Sequence, residues 1–243
     1  DAVKKVKQQI LAFLLRQGIK YSNTNWTKAH ITWLHGLKFD HALLKETLDE
    51  YITSLENYVA KLERLDKRIE EFAQGDKYQE KAAELGCLLG IKTQAAMTMM
   101  SEISDFSRFR TASEFASFLG LVPGENSSGE KTQRTSITKS GNSQCRKTLI
   151  EAAAGICRGK VGHKSKELMR RQALCNNPIA ISYADRANER LRSKFYRLNL
   201  RNGKPANVAK TAVARELACF IWGIMTDTYN GKVPRNDEYA LGK

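Results

Sequence analysis

The 243-residue chain carries 40 Lys and Arg against 26 Asp and Glu, a formal charge of +14, and 42% of its residues are hydrophobic. That length is enough for one large domain or two small ones with a proper core, and no apolar run reaches the roughly 18 residues of a membrane span. There is no signal-peptide pattern, and the five cysteines and four histidines form no CxxC, HxxxH or HExxH spacing, which argues against a zinc site or disulfide framework and for a reducing cytoplasm.

The charge is segregated. From Lys131 to Arg215 there are 20 Lys and Arg and four acids (Glu151, Glu167, Asp185 and Glu189), a local balance of +16 that leaves −2 for the remainder. A field divided in this way is built to meet a polyanion, and nucleic acid is the expected partner; no basic amphipathic membrane anchor stands out.

Taken in order, Val3, Val6, Ile10, Phe13 and Leu14 share one helical face, and Gly18 stands where a C-cap belongs. The chain starts at Asp1, without methionine and already inside this pattern, so a preceding N-terminal portion is expected. Tyr21 to Thr27 is a polar loop, and Thr27 can cap a helix carrying Ile31, Trp33, Leu34 and Leu37. Trp26, His30, Trp33 and His35 have the composition of a base-stacking surface, but at helical spacing they are expected to be core and interface residues. Leu44, Leu48, Tyr51, Leu55, Tyr58, Leu62, Leu65, Ile69 and Phe72 then alternate steps of four and three, a heptad seam that ends near Gly75. It predicts one long helix with a narrow contact face, either within the chain or between copies.

Asp76 to Leu88 and Thr93 to Ile103 read as helices joined by a Leu-Gly-Ile turn, which resembles a helix-hairpin-helix with Lys92 where the second glycine usually stands. Thr111 and Glu114 form a capping box before Phe115, Phe118 and Leu119. The next stretch, FLGLVPGENSSGEKTQRTSITKSGNSQCRK from Phe118 to Lys147, joins a small-residue loop (Gly124, Ser127, Ser128, Gly129) to the cations Lys131, Arg134, Lys139, Arg146 and Lys147. It has no carboxylate after Glu130. Small hydroxyls beside glycine admit a bulky anion, and the cations would hold its phosphates; on composition alone, an exposed basic loop is the simpler reading. Ser136 to Thr138 suggests a short extended piece, and Asn142 caps a helix through Cys145, Leu149, Ile150, Ala153 and Ile156.

Ser165 to Leu174 reads as a basic helix. Ile179 to Leu200 reads as another, with Arg186, Arg190, Arg192, Lys194 and Arg197 on its surface beside Tyr183, Phe195 and Tyr196, suited to a nucleic-acid backbone. Asn202-Gly203-Lys204 turns the chain, and Pro205 is expected at N1 of a last helix. Its apolar face of Ala206, Ala209, Ala212, Val213, Leu217, Phe220 and Ile221 is expected to be the main packing partner of the core.

Leu119-Gly120-Leu121-Val122-Pro123, Ser127-Ser128-Gly129, Ile137 to Asn142 and Arg146 to Ile150, in that succession, resemble the transposase domain of the IS110/IS116/IS902-type, bridge-RNA-guided DNA recombinases. The resemblance spans most of the chain and is most specific from Leu85 to Ile150. It implies an all-α protein, with a long coiled-coil-type helix hairpin followed by a helical transposase domain. The implied divisions are a linker over 1–38 that follows a missing N-terminal domain, a coiled-coil helix over 39–76, a transposase domain with the serine loop over 77–230 and a flexible tail over 231–243. In such proteins the serine before this glycine attacks a DNA phosphodiester, which carries over to Ser128. The nucleic-acid-binding residues expected are Lys92, Gly129, Lys131, Arg134, Lys139, Arg146, Lys147, Arg190 and Lys194. Double-stranded DNA, a guide RNA and a dimer or tetramer through the coiled coil are the partners implied.

A serine hydroxyl needs a base or metal to become a good nucleophile, and its transition state needs positive charge around the non-bridging oxygens. The cations can supply the second. No acid cluster supplies the first; by resemblance, Mg2+ and its carboxylates belong to an N-terminal RuvC-like domain, no metal ligand is placed on this chain, and alone it is expected to cleave poorly. The rival from another class is a non-enzymatic nucleic-acid-binding and oligomerisation module. A serine hydrolase would need His163 as base, and no acid is placed to orient it.

Overall fold

The computed structural model describes residues 1–126 and 134–229, which divide between two compact units, Asp1–Arg68 and Ile69–Lys243. Ser127, Ser128, Gly129 and Lys131, and the tail expected over 231–243, lie outside the described residues. The fold is helical, with ten α-helices and one two-stranded sheet among the described residues.

In the first unit, α1 (Ala2–Arg16) buries Val6, Ile10, Phe13 and Leu14, the face its periodicity predicts. It ends in a Schellman turn: Gly18 has φ +68°, its N–H reaches the Leu15 carbonyl at 3.0 Å, and the Ile19 N–H reaches Leu14 at 2.9 Å. Thr27 caps α2 (Lys28–Gly36) by accepting from the His30 N–H at 3.2 Å. The long helix α3 (Ala42–Ala73) follows, its residues from Ile69 on belonging to the second unit. Its Leu48, Ile52 and Leu55 join the α1 residues and Leu34 in one buried cluster, with Phe13 edge-on to Tyr51 at 6.0 Å. The heptad seam is used only in part: Tyr58, Leu62, Leu65 and Phe72, further along the helix, are 43–53% exposed.

His30 is fully buried among Tyr21, Trp26 and Trp33, with ring centroids 4.7, 5.0 and 5.6 Å away. His30 is thus core, with half-buried aromatic rings around it, whereas His35 is exposed and bonded to Glu56 at 3.0 Å.

The second unit is organised around α10 (Ala206–Met225). Val213, Ala214, Leu217, Ala218, Phe220, Ile221 and Ile224 are buried on it, whereas Ala206 is exposed and Ala212 half-exposed. Pro205 takes the N-cap position and not N1, because its ψ of 139° is extended. The helices packed most extensively on α10 are α6 (Ala112–Phe118), α7 (Ser143–Ile156) and α9 (Pro178–Tyr196). Small residues set the spacing. At Gly223 on α10 a side chain would stand 2.3 Å from the Tyr183 hydroxyl.

The hairpin-like pair α4 (Gln79–Gly86) and α5 (Thr93–Ile103) packs beside α7 and α8 (Lys166–Ala173). Its turn bends at Gly90, with φ +78°, where any Cβ would lie 2.5 Å from the Ala152 carbonyl. Buried Asn188 holds this turn from 100 residues away: Oδ1 accepts from the Leu89 N–H at 2.7 Å, and Nδ2 donates to the Cys87 carbonyl at 3.1 Å. Arg171 adds a bond to the Ile91 carbonyl.

Two local departures from the sequence reading concern α9. The helix was expected to run to Leu200 but gives way to a π-helical turn over Arg197–Arg201, closed by the Asn202 N–H on the Arg197 carbonyl at 3.0 Å. Arg192, expected on the surface, is 6% exposed. Its Nε donates to Ile156 at 3.2 Å, and its Nη1 donates to Lys160 at 2.7 Å and to His163. A guanidinium thus satisfies carbonyls at and beyond the C-terminal end of α7, where a cation is favoured by the helix dipole.

Candidate serine hairpin and nucleic-acid interface

The chain leaves α6 at Gly120 and enters an antiparallel pair, β1 (Pro123–Glu125) and β2 (Arg134–Ile137), before Asn142 starts α7. Pro123 faces Ile137 and Glu125 faces Arg134, so β2 carries one extra residue between the paired positions. Ser128, Gly129 and Lys131 belong by sequence to the connection between the strands. The extended piece expected near Ser136 is present; β1 was not anticipated, because Pro-Gly-Glu carries no strand pattern of its own.

The foot of the hairpin is a close backbone crossing. Gly120 has φ +65° and a Cβ there would fall 2.2 Å from the Ser140 carbonyl oxygen; Gly141 has φ +72° and a Cβ would fall 1.7 Å from that of Phe118. Only glycine fits either position. The Thr138 N–H donates to Val122 at 2.9 Å and the Lys139 N–H to Gly120 at 3.2 Å. Arg146 donates through Nη1 to Leu119 at 3.0 Å and to Ser140 at 2.8 Å, gripping both sides of the crossing. Asn142 caps α7 through the Cys145 N–H at 2.9 Å, while its Nδ2 donates to Glu102 of α5 at 2.6 Å. Sequence reasoning missed Glu102, which lies 40 residues before its partner.

The expected cations divide by role. Lys139, at φ +57°, and Lys147 are exposed and among the described residues have no side-chain partner, so both are available to an anion near the N-terminus of α7. Arg146 is half-buried and engaged by the hairpin foot. Arg134 opens β2. Lys92 is exposed at the N-cap of α5, just after the turn that packs on Ala152. Arg190 and Lys194 stand on α9, where both pair with Glu216 of α10, the Lys194 bond being 2.5 Å.

Four thiols and two phenols of this unit are withdrawn. Burial pushes the thiols of Cys87, Cys145 and Cys219 up to about 12 and that of Cys157 up to about 11, far from the thiolate form. Burial likewise raises the Tyr183 hydroxyl. The Tyr229 hydroxyl, pushed up to about 12 by burial and then by Glu84, donates to Glu84 at 3.2 Å. Among the described residues no three of His, Cys, Asp and Glu converge to hold a metal, and no helix is long and apolar enough to cross a membrane.

Residues 83–169 match the family model described as Transposase IS116/IS110/IS902 family. The chain is 33% identical over 225 residues to the putative transposase y4qE of Sinorhizobium fredii, covering 92% of this chain and 53% of that one. It is 35% identical over 102 residues to the transposase for insertion sequence element IS1533 of Leptospira borgpetersenii, covering 41% and 30% respectively. A probable family 20 transposase of Pseudomonas aeruginosa is 27% identical over 187 residues, covering 76% and 45%. The chain thus spans about half the length, or less, of these relatives.

Proposed function

Because the chain belongs to the IS116/IS110/IS902 transposase family, we propose that it is the serine-bearing part of an insertion-sequence DNA transposase, with Ser128 as the nucleophile. In this reading the Ser128 Oγ attacks a DNA phosphorus. The O–P bond forms as a sugar oxygen leaves, the seryl proton passes to a base, and the leaving oxygen receives a proton. The observation that carries the reading is the hairpin foot: glycines at 120 and 141 and the Arg146 grip fix the two ends of the segment that contains Ser128. Lys139 and Lys147, close in sequence to the foot, suit the charge of a phosphorane-like transition state.

The described residues of this chain do not fit a metal, so no step here is routed through one. The proposal assigns Mg2+ and its carboxylates to a RuvC-like domain outside these residues. Double-stranded DNA and a guide RNA are the proposed partners, the cytoplasm the proposed location. Self-association through α3 is supported by the exposed Tyr58, Leu62, Leu65 and Phe72. These same residues favour the second reading, a non-enzymatic nucleic-acid-binding and assembly module.

The deciding experiment supplies the chain with a RuvC-like domain, guide RNA, Mg2+ and a nicked cognate DNA, then maps any covalent adduct by peptide mass analysis. DNA attached at Ser128, and its loss in Ser128→Ala, is the expected result. Tight, salt-sensitive binding without an adduct would replace the nuclease reading with the assembly module.

A further inference from the structure

A cleft of ≈ 410 Å³ opens where α9, the π-helical turn and α10 meet, lined by Arg190, Lys194, Arg197 and Arg201, with Glu216 also on its wall and Val161 at its edge. We propose that this cleft is a second phosphate site, which holds a phosphodiester of bound nucleic acid a helix length away from the serine hairpin. The inference rests on the nucleic-acid-binding reading above and adds to it a location and a set of residues.

The charges are arranged for an anion and not merely accumulated. Among the described residues that line the cleft, four are cations and one is a carboxylate. Glu216 is 6% exposed; its Oε1 accepts from Arg190 Nε and its Oε2 from Lys194 Nζ at 2.5 Å. This buried carboxylate holds both side chains in place, so little ordering entropy is left to spend when a ligand arrives. Arg197 and Arg201 are exposed and among the described residues have no side-chain partner. They are the first and last residues of the π-helical turn, a rare conformation that is frequent at functional sites. Their planar forks match phosphate oxygens in geometry as well as charge.

The arginines of this region are thereby sorted by task. Arg192 is spent on the end of α7, Arg190 is tied to Glu216, and Arg197 and Arg201 face outward. Tyr196 closes the wall on the α7 side by donating to the Gly159 carbonyl at 3.2 Å. Because Gly159 follows the C-terminal end of α7 and Arg146 lies near its start, the 14 residues of that helix separate the two sites. At about 1.5 Å per residue this is roughly 20 Å, or about six base pairs of duplex. A strand held at the hairpin can therefore reach the cleft without bending sharply.

The test is fluorescence anisotropy of the whole chain with two labelled probes, a DNA duplex and an RNA duplex, each two helical turns long and titrated with KCl. Arg197→Ala/Arg201→Ala is compared with Lys139→Ala/Lys147→Ala, and the charge-keeping Arg197→Lys/Arg201→Lys serves as a second cleft variant. The expected result is a weaker complex with one or both probes, its salt slope reduced by about two for the alanine pair and less for the lysine pair. The probe that responds identifies the strand the cleft holds. If the hairpin variant weakens binding while both cleft variants bind like the parent, the cleft proposal is overturned and the nucleic-acid reading stands. If the parent chain binds neither probe, both fall together.

Discussion

Arg146 Nη1 donates to the Ser140 carbonyl at 2.8 Å while the same nitrogen donates to Leu119 at 3.0 Å, so one guanidinium joins the segments entering and leaving the serine hairpin. Hydrogen bonds from a charged donor contribute about 1.5–3 kcal/mol each. Arg146→Ala is expected to lower stability by roughly 2–4 kcal/mol in urea unfolding, and Arg146→Lys by less, whereas Lys147→Ala leaves stability nearly unchanged and weakens DNA binding. Arg146 acting only as a phosphate contact would give the reverse: intact stability and lost affinity.

The crossing of Gly120 and Gly141 makes a second prediction. Gly141→Ala places a methyl 1.7 Å from the Phe118 carbonyl oxygen and forces a left-handed backbone on alanine. The two costs, about 1–2 kcal/mol for the backbone and about 1–3 kcal/mol for the overlap, add to a loss of roughly 2–5 kcal/mol. Gly155→Ala, where nothing lies within 4 Å, is the matched control and is expected to be neutral or stabilising. Similar urea midpoints for the two variants would contradict the close crossing.

Asn188 secures the α4–α5 turn through buried bonds to Leu89 and Cys87. Asn188→Ala leaves a buried N–H and a buried carbonyl without partners and is expected to cost about 2–4 kcal/mol. Amide exchange at Leu89 should accelerate in step, and an unchanged Leu89 rate would mean that the turn holds itself.

His30 gives the first unit a pH dependence. Its Nδ1 accepts from the Trp26 N–H at 3.0 Å, so the neutral ring carries its proton on Nε2, which is buried without a partner. Burial lowers its pKa below the ordinary 6.5. The unfolded chain therefore binds this proton first. Stability is full above about pH 6.5 and is lost as pH falls from there through the depressed folded value. The facing groups are Tyr21, Trp26 and Trp33, with Lys7 Nζ 5.0 Å over the Trp26 ring, so no acid among these groups rescues the imidazolium. Thermal unfolding followed by tryptophan fluorescence should show a midpoint that drops as pH falls below about 6.5, and His30→Asn should remove part of that drop.

Leu62 and Leu65 are 51% and 48% exposed on α3. Leu62→Lys/Leu65→Lys is expected to turn an oligomer into a monomer in light scattering with little change in the unfolding midpoint of the separated chain. A parent chain that is already monomeric at high concentration would remove the coiled-coil contact from the proposal.

What the sequence determined by itself is what lies within one helical turn. Thr27, Thr111, Asn142 and Ser165 each accept from an N–H three residues on, and the span Thr93–Ile103 follows directly from its apolar spacing and flanking turn. The expectation of a site around Ser128 rests on the order of the motifs there, which is also a property of the sequence alone. The tertiary structure alone decided which cations remain free. Arg192 meets carbonyls 29–36 residues away, Glu216 meets Arg190 and Lys194 from 26 and 22 residues away, and Asn188 reaches across about 100. Charge and periodicity place an arginine on a helix face, but whether that face meets water, a carboxylate or the end of another helix depends on packing. In this chain, burial against α7 and α10 makes one arginine of α9 a cap and ties another to Glu216, while Arg186 on the same helix and the two arginines of the π-helical turn face solvent.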